Sequence, residues 1–164
     1  MSLLDIILSR RSIRRYENKE IPQDVLDKII EAGRQSPSAV NQQPYHFVIV
    51  KDTEIKKKLQ GLYSNFLKNA PIVIVGCANP KAWLTGKWAT IDTTIALERM
   101  VLAAWSIGIG SCWIGSFQEQ KVKETLKIPK DWKVVALITL GYPAETPKPR
   151  KKKPTNELFS VNQF

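Results

Sequence analysis

The segment from about Thr90 to Ile107 sets the terms for the rest of the chain. Ile91, Ile95, Leu97, Met100, Val101, Ala104 and Trp105 recur there at helical spacing, yet they cover much of the circumference instead of one stripe. A helix of that kind is buried, either in a core or in a subunit interface. With 164 residues the chain has room for one domain and none for a second, substrate-binding one. The remaining elements must therefore pack round this helix, or share it with another copy.

Those elements interleave. Leu3 to Ser9 reads as a short amphipathic helix, and Pro22 to Gln35 as a longer one with Leu26, Ile29, Ile30 and Gly33 on one face. Pro22 falls in its first turn, and Asp24 complements the helix dipole. Tyr45 to Val50 is a strand by length and β-branched content. Thr53 caps the next helix, whose apolar face is Ile55, Leu59, Leu62 and Phe66. Pro71 to Cys77 is a continuous apolar run, as in a strand covered on both faces. Gly108 and Gly110 end the long helix, Ser111 to Ile114 starts a strand, Gln118 to Leu126 is a short helix and Trp132 to Leu140 the last strand. Such interleaving means α/β or α+β, built on a central sheet. One domain over 1–164 is expected, with 143–164 as an extended basic C-terminal segment.

Several function classes are disfavoured at once. The longest apolar stretches, Ala70 to Val75 and Val134 to Leu140, fall far short of the ~18 residues of a membrane span. Leu3 to Leu8 precedes its positive charges and no small-residue cleavage site follows, unlike a secretory signal. Cys77 and Cys112 lack metal-ligand spacing, so no metal site is expected and a reduced, cytoplasmic setting is. The lone histidine, His46, lies in a strand without a partner, which favours a structural role. No phosphate-loop, metalloprotease or nucleophile-elbow pattern occurs. If the chain catalyses a reaction, a bound cofactor supplies the reactivity.

Charge is more informative. The chain carries 25 Lys+Arg against 15 Asp+Glu, a formal net charge of +10. Nine cations fall in two clusters, Arg10, Arg11, Arg14 and Arg15 near the start, and Lys148, Arg150, Lys151, Lys152 and Lys153 near the end. These are either solvated basic runs or two distant clusters meeting on one anionic ligand. A nucleic-acid-binding module is the weaker reading, because the tryptophans sit mostly in apolar contexts.

Three short stretches carry candidate chemistry. Residues 10–16 read RRSIRRY, and in extended backbone Arg10, Ser12 and Arg14 project to one side with Ile13 on the other. Two guanidiniums and a hydroxyl on one face suit a phosphate and an electron-rich ring. The loop Pro37 to Pro44 presents Ser38, Asn41, Gln42 and Gln43, whose amides match the alternating edge of a pyrimidine-like ring, although turn residues of this sort are also ordinary. Gly108 to Gly115 gathers three of the eight glycines, as where backbone is approached closely.

Taken in order, RRSIRRY, SPSAVNQQPYHF, the apolar helix ending GIGSCWIGSF, LGYP and KPRKKK, the chain resembles the FMN-dependent nitroreductase family from about Leu3 to Lys153. The resemblance implies an α+β fold with a central, mostly antiparallel sheet flanked by helices, in an intertwined homodimer with FMN at the subunit interface. It implies cofactor contacts from Arg10, Arg11, Ser12 and Arg14 of one chain, and from Pro37, Ser38, Ala39 and Asn41 of the other, with Gln43 as a loop brace or contact. It places Ile114 and Gly115 backbone near flavin N5, and Lys148 and Arg150 at the phosphate. The implied reaction takes a hydride from NADH or NADPH and reduces a small acceptor such as a nitroaromatic or quinone, with no indispensable proton-transfer side chain. Dehydrogenation or dehalogenation on the same scaffold is the alternative. Lys151 to Lys153 would favour the extra phosphate of NADPH. Ala39 and Tyr45 depart from the commoner Ser and Trp, and Trp83 and Trp88 either wall a substrate or pack at the interface.

Overall fold

The computed structural model describes residues 2–164. Its centre is one antiparallel sheet in the order β1-β2-β4-β3, with β1 Tyr45–Val50, β2 Ile72–Ala78, β3 Gly110–Ile114 and β4 Lys133–Gly141. Around it lie α1 Leu3–Ser9, α2 Gln23–Arg34, α3 Thr53–Lys58, α4 Ala89–Ser106 and α5 Glu119–Leu126. This is the expected α+β arrangement. All seven residues of β2 are buried and the strand pairs along its length with both β1 and β4, which is why its sequence is apolar without alternation.

The two sheet faces bear different cores. On one, Leu26 and Ile29 of α2 and Leu97, Met100 and Val101 of α4 pack over Ile72, Ile74, Ile138 and Leu140. On the other, Leu59, Leu67, Val122 and Ile128 cover Val73, Val75 and Leu137. Burial of each such side chain contributes about 1.5–3 kcal/mol. Helix α4 stops where the glycines foretold. Gly108 takes φ +81°, while the Gly108 and Ile109 amides donate to Trp105 O at 3.2 Å and Ala104 O at 2.9 Å. These are the two bonds of a Schellman cap.

Of the expected burial of α4, in a core or a subunit interface, the single chain supplies the core on one side of the helix. Ile91 and Ile95 are 50% and 36% exposed within the single chain. Helix α1, tied to the other end of α4 through Ser9 and Trp105, buries none of its residues, leaving Leu3, Leu4, Ile7 and Leu8 exposed. The last segment, 148–164, is exposed throughout, with a helical turn at Thr155–Glu157 and a bend at Val161 and Asn162, and it carries exposed Leu158, Phe159, Val161 and Phe164.

Helix α3 departs from its sequence pattern. It ends at Lys58, and its cap is Asp52, whose Oδ1 accepts from the Ile55 amide at 2.8 Å, not Thr53. A Cβ on Gly61 would lie 2.1 Å from Ser116 O, so the chain leaves the helix there to pass against the segment before α5. Leu62 consequently points to solvent, 79% exposed. Pro22 likewise flanks α2 as its cap and does not lie inside the first turn.

Candidate functional site

The Arg10–Tyr16 segment runs as an extra extended piece beside the start of β3. The Ile13 amide donates to Ser111 O at 2.8 Å, and Ser12 bridges Ser111 in parallel register. Ile13 is completely buried, so alternation turns its neighbours outward. Arg10, Ser12 and Arg14 all act on the Cys112 thiol. Burial pushes that thiol up, while the Arg14 charge, a hydrogen bond with Ser12 and the Arg10 charge oppose the rise. Alternation puts Arg10, Ser12 and Arg14 on the side of the segment opposite Ile13. The Arg11 guanidinium turns back to donate to the carbonyls of Leu8 at 2.9 Å and Arg10 at 2.8 Å. Among the described residues, no carboxylate pairs with the Arg10 or Arg14 guanidinium.

Two residues that the sequence reading passed over fix this segment. Glu145 accepts from the Arg14 amide at 2.6 Å, the Arg15 amide at 3.1 Å and Arg15 Nε at 3.3 Å. Those bonds, the Arg14 amide first, hold its carboxyl below the usual glutamate range. Tyr16 donates to Ile13 O at 2.6 Å and meets Thr139 Oγ1 at 2.5 Å; burial drives its phenol well above the usual tyrosine range. With Ala144 donating to Arg15 O and Glu17 to Tyr142 O, the N-terminal basic cluster is laced to the segment that leads into the C-terminal one. Lys148 and Arg150 follow three and five residues after Glu145 and are exposed.

The second predicted group lies elsewhere. In the loop 37–44, Val40, Asn41 and Gln43 have φ of +45°, +55° and +53°, a region that β-branched residues such as valine rarely enter. Ser38 Oγ accepts from the Gln43 amide at 2.9 Å, and Gln43 Nε2 donates to Asn41 O at 2.9 Å. Thr85 Oγ1 bonds Gln42 Oε1. The Ala39 amide donates to both carboxylate oxygens of Asp92 at 3.3 Å. Pro37, Asn41 and Gln43 remain exposed, with Ser38 and Ala39 half-buried. Gly115 stands in open space just past buried Ile114, the last residue of β3. Trp83 is 90% exposed, and Lys87 lies over the Trp88 ring.

The two groups hang from opposite ends of α4. Trp105 Nε1 donates to Ser9 Oγ at 3.0 Å beside Arg10, while Asp92 holds Ala39. Thirteen residues separate these anchors, about 20 Å at helix rise. A cleft of about 640 Å³ lined by Lys19, Lys51, Lys56 and Lys68, and one of about 300 Å³ beside His46 and Trp132, include none of the predicted cofactor residues. His46 is exposed and meets the Trp132 ring edge-on at 6.3 Å. No helix among the described residues is long and apolar enough to cross a membrane.

Comparison with known proteins bears on the family and the fold. The model of the nitroreductase family matches residues 7–75 and 59–142. A crystal structure of a nitroreductase family protein from Clostridium novyi NT is 38% identical, covers 92% of this chain and 89% of its own, and superposes with a TM-score of 0.82. An FMN-dependent nitroreductase from Clostridium difficile is 30% identical, with 98% and 99% coverage and a TM-score of 0.86. The FMN reductase (NAD(P)H) of Bacillus subtilis is 30% identical over 95% of this chain and 70% of its own. On the family match, the order of motifs and the shared fold, this chain belongs to the nitroreductase family.

Proposed function

We propose that the protein is a homodimeric, FMN-dependent oxidoreductase that takes electrons from NADH or NADPH and delivers them to a small oxidised acceptor such as a nitroaromatic or a quinone. The observation that carries the reading is the separation of the two half-sites along α4. Neither of the two clefts described above takes in the Arg10–Arg14 row or the 37–43 loop. The exposed apolar faces of α1 and α4, with the C-terminal segment, are surfaces that a second copy would cover. A two-fold pairing that runs α4 against its copy brings the row of one chain to the loop of the other.

The residues fit the cofactor. Guanidiniums with no counter-ion suit a phosphate and an anionic ring edge, and the loop offers amide groups to a pyrimidine edge. Arg10, Lys148 and Arg150 would hold the phosphate end, with Arg11 shaping the turn through its backbone. Ser12 and Arg14 would face the N1 and C2-carbonyl edge, and the backbone at Ile114 and Gly115 the N5 region. Pro37, Ser38, Ala39 and Asn41 of the other chain would close the site, with Gln43 bracing their loop. When bound, FMN supplies a two-electron carrier that accepts hydride at N5. The chain contributes a fixed positive charge, at Arg14, where reduction develops negative charge, and this stabilises most where water is excluded. No side chain need move a proton. The two buried, free cysteines suit a reduced cytoplasm.

The absorption spectrum of the purified protein, taken with its sedimentation coefficient, tests the reading. Flavin bands at one per subunit in a dimer, bleached by NADH or NADPH without oxygen and restored by a nitroaromatic or quinone, are expected. A colourless monomer that takes up no FMN rules it out.

A further inference from the structure

We propose that Asp92 is the positioning residue of the site: it fixes the root of the 37–43 loop to helix α4, and so holds that loop ready for the cofactor. This rests on the flavin reading above. Asp92 is 4% exposed and lies in the first turn of α4, where the helix dipole favours a negative charge. Among the described residues it forms no ion pair, and its recorded hydrogen bonds are the two from the Ala39 amide. A carboxylate removed from water with so few partners is costly to keep. A core position alone gives no reason for it, since the neighbouring buried positions on this helix are Thr93, Ala96 and Leu97.

What the carboxylate holds gives the reason. Directly after Ala39 come Val40 and Asn41, both at positive φ. Such backbone persists only where its surroundings over-determine it. Several bonds do so here, and they divide the work. Ser38 Oγ closes the loop on itself through the Gln43 amide, and Thr85 grips Gln42 from the neighbouring connection. Asp92 ties the root of the loop to a long helix, while the Tyr45 amide at the head of β1 holds its far end through Gln43 O at 2.8 Å. That helix also carries Trp105, which anchors Ser9 beside the arginine row. Helix α4 thus serves both half-sites, and Asp92 transmits its position to one of them.

The test uses the full-length protein, as a series of Asp92→Ala, Asp92→Asn and Thr93→Val. Thr93 is fully buried and its hydroxyl bonds only Ala89 O of its own helix, so Thr93→Val probes α4 packing without touching the loop. Hydrogen exchange of the flavin-free protein is read first. Asp92→Ala is expected to speed exchange of the 38–43 amides at least about tenfold, leaving the β2 and β4 amides unchanged. Quenching of FMN fluorescence is read second. Losing a charge-assisted bond raises the FMN Kd about 10- to 100-fold. Asp92→Asn, which keeps an accepting oxygen, is expected to restore both readouts to within about threefold, and Thr93→Val to move neither. If Asp92→Ala does not fold, Ala39→Pro removes the donor from the other side and is expected to reproduce both effects. Exchange and Kd within twofold of wild type in Asp92→Ala, or equal effects from Thr93→Val, overturn the proposal. Loosening of the loop in a protein whose wild type binds no FMN supports the brace and instead overturns the flavin reading.

Discussion

Adding one methyl group at Gly110 is expected to disturb the arginine row from behind. A Cβ built there lies 2.7 Å from Ile13 Cγ1, 2.9 Å from its Cβ and 3.1 Å from its Cγ2, and Ile13 is completely buried. Ile13 cannot swing into solvent without carrying Arg10–Arg14 with it, because its amide is bonded to Ser111 O. Gly110→Ala is therefore overpacking of a filled core, at about 1–3 kcal/mol. For a chain of this length each kcal/mol shifts Tm by about 2–4 °C, so the midpoint should fall by about 2–12 °C. Ile13→Ala alone leaves a cavity costing about 2–5 kcal/mol. Combining them lets the new methyl occupy space that Ile13 has vacated. The double variant should be more stable than the sum of the singles by at least about 1 kcal/mol, within the usual range for residues in contact. Urea unfolding followed by circular dichroism measures all four proteins. Additivity within about 0.3 kcal/mol would show that the two positions do not press on each other, and the steric argument would fail.

Glu145→Gln should weaken the tie between the basic segments and flatten the acid limb of stability. The folded-state carboxyl is held below 4.5, so its stabilisation is present above pH 4.5 and lost as pH falls through the lower folded value; an unchanged acid midpoint in thermal melts counts against this. Tyr16→Phe removes the bonds to Ile13 O and Thr139 and should cost about 1–2 kcal/mol of unfolding free energy, with no loss expected if those contacts are incidental. Arg14→Ala should raise the FMN Kd about tenfold or more, and Lys148→Ala with Arg150→Ala should weaken binding and reduce its salt dependence; fluorescence titrations at two ionic strengths decide both. Deleting residues 155–164 removes Leu158, Phe159, Val161 and Phe164, four exposed apolar side chains, and should shift sedimentation toward monomer, whereas an unaltered dimer would mean the tail covers nothing.

Local signals revealed most of the fold, and their failures have local causes. Tyr45–Val50 and the apolar run through Ile72 needed only pattern and composition, because β2 is buried on both faces. Helix α3 misled because Ile55, Leu59, Leu62 and Phe66 keep a helical rhythm past the residue that ends it. The limit is imposed by Ser116 O against Gly61, a contact 55 residues away in sequence. At the site, RRSIRRY announced its own alternation, since Ile13 alone among its neighbours is apolar. Asp92 and Glu145 carried no comparable sign. Asp92 reads as an acidic residue in a helix's first turn, and Glu145 as one charge ahead of a basic tail. Each gains meaning only from a backbone amide brought to it from 53 or 131 positions away.

The spacing of the half-sites along α4 has a genetic consequence. If each site draws its arginine row from one chain and its loop from the other, a chain crippled in the row and a chain crippled in the loop need not be inactive together. In a mixed pair, one site inherits both lesions and the other inherits neither. Two individually silent variants, co-expressed, would then recover as many as one working site per mixed dimer. A lesion confined to one half would leave a mixed pair with wild type one intact site and one damaged one, so working sites would simply count the wild-type chains.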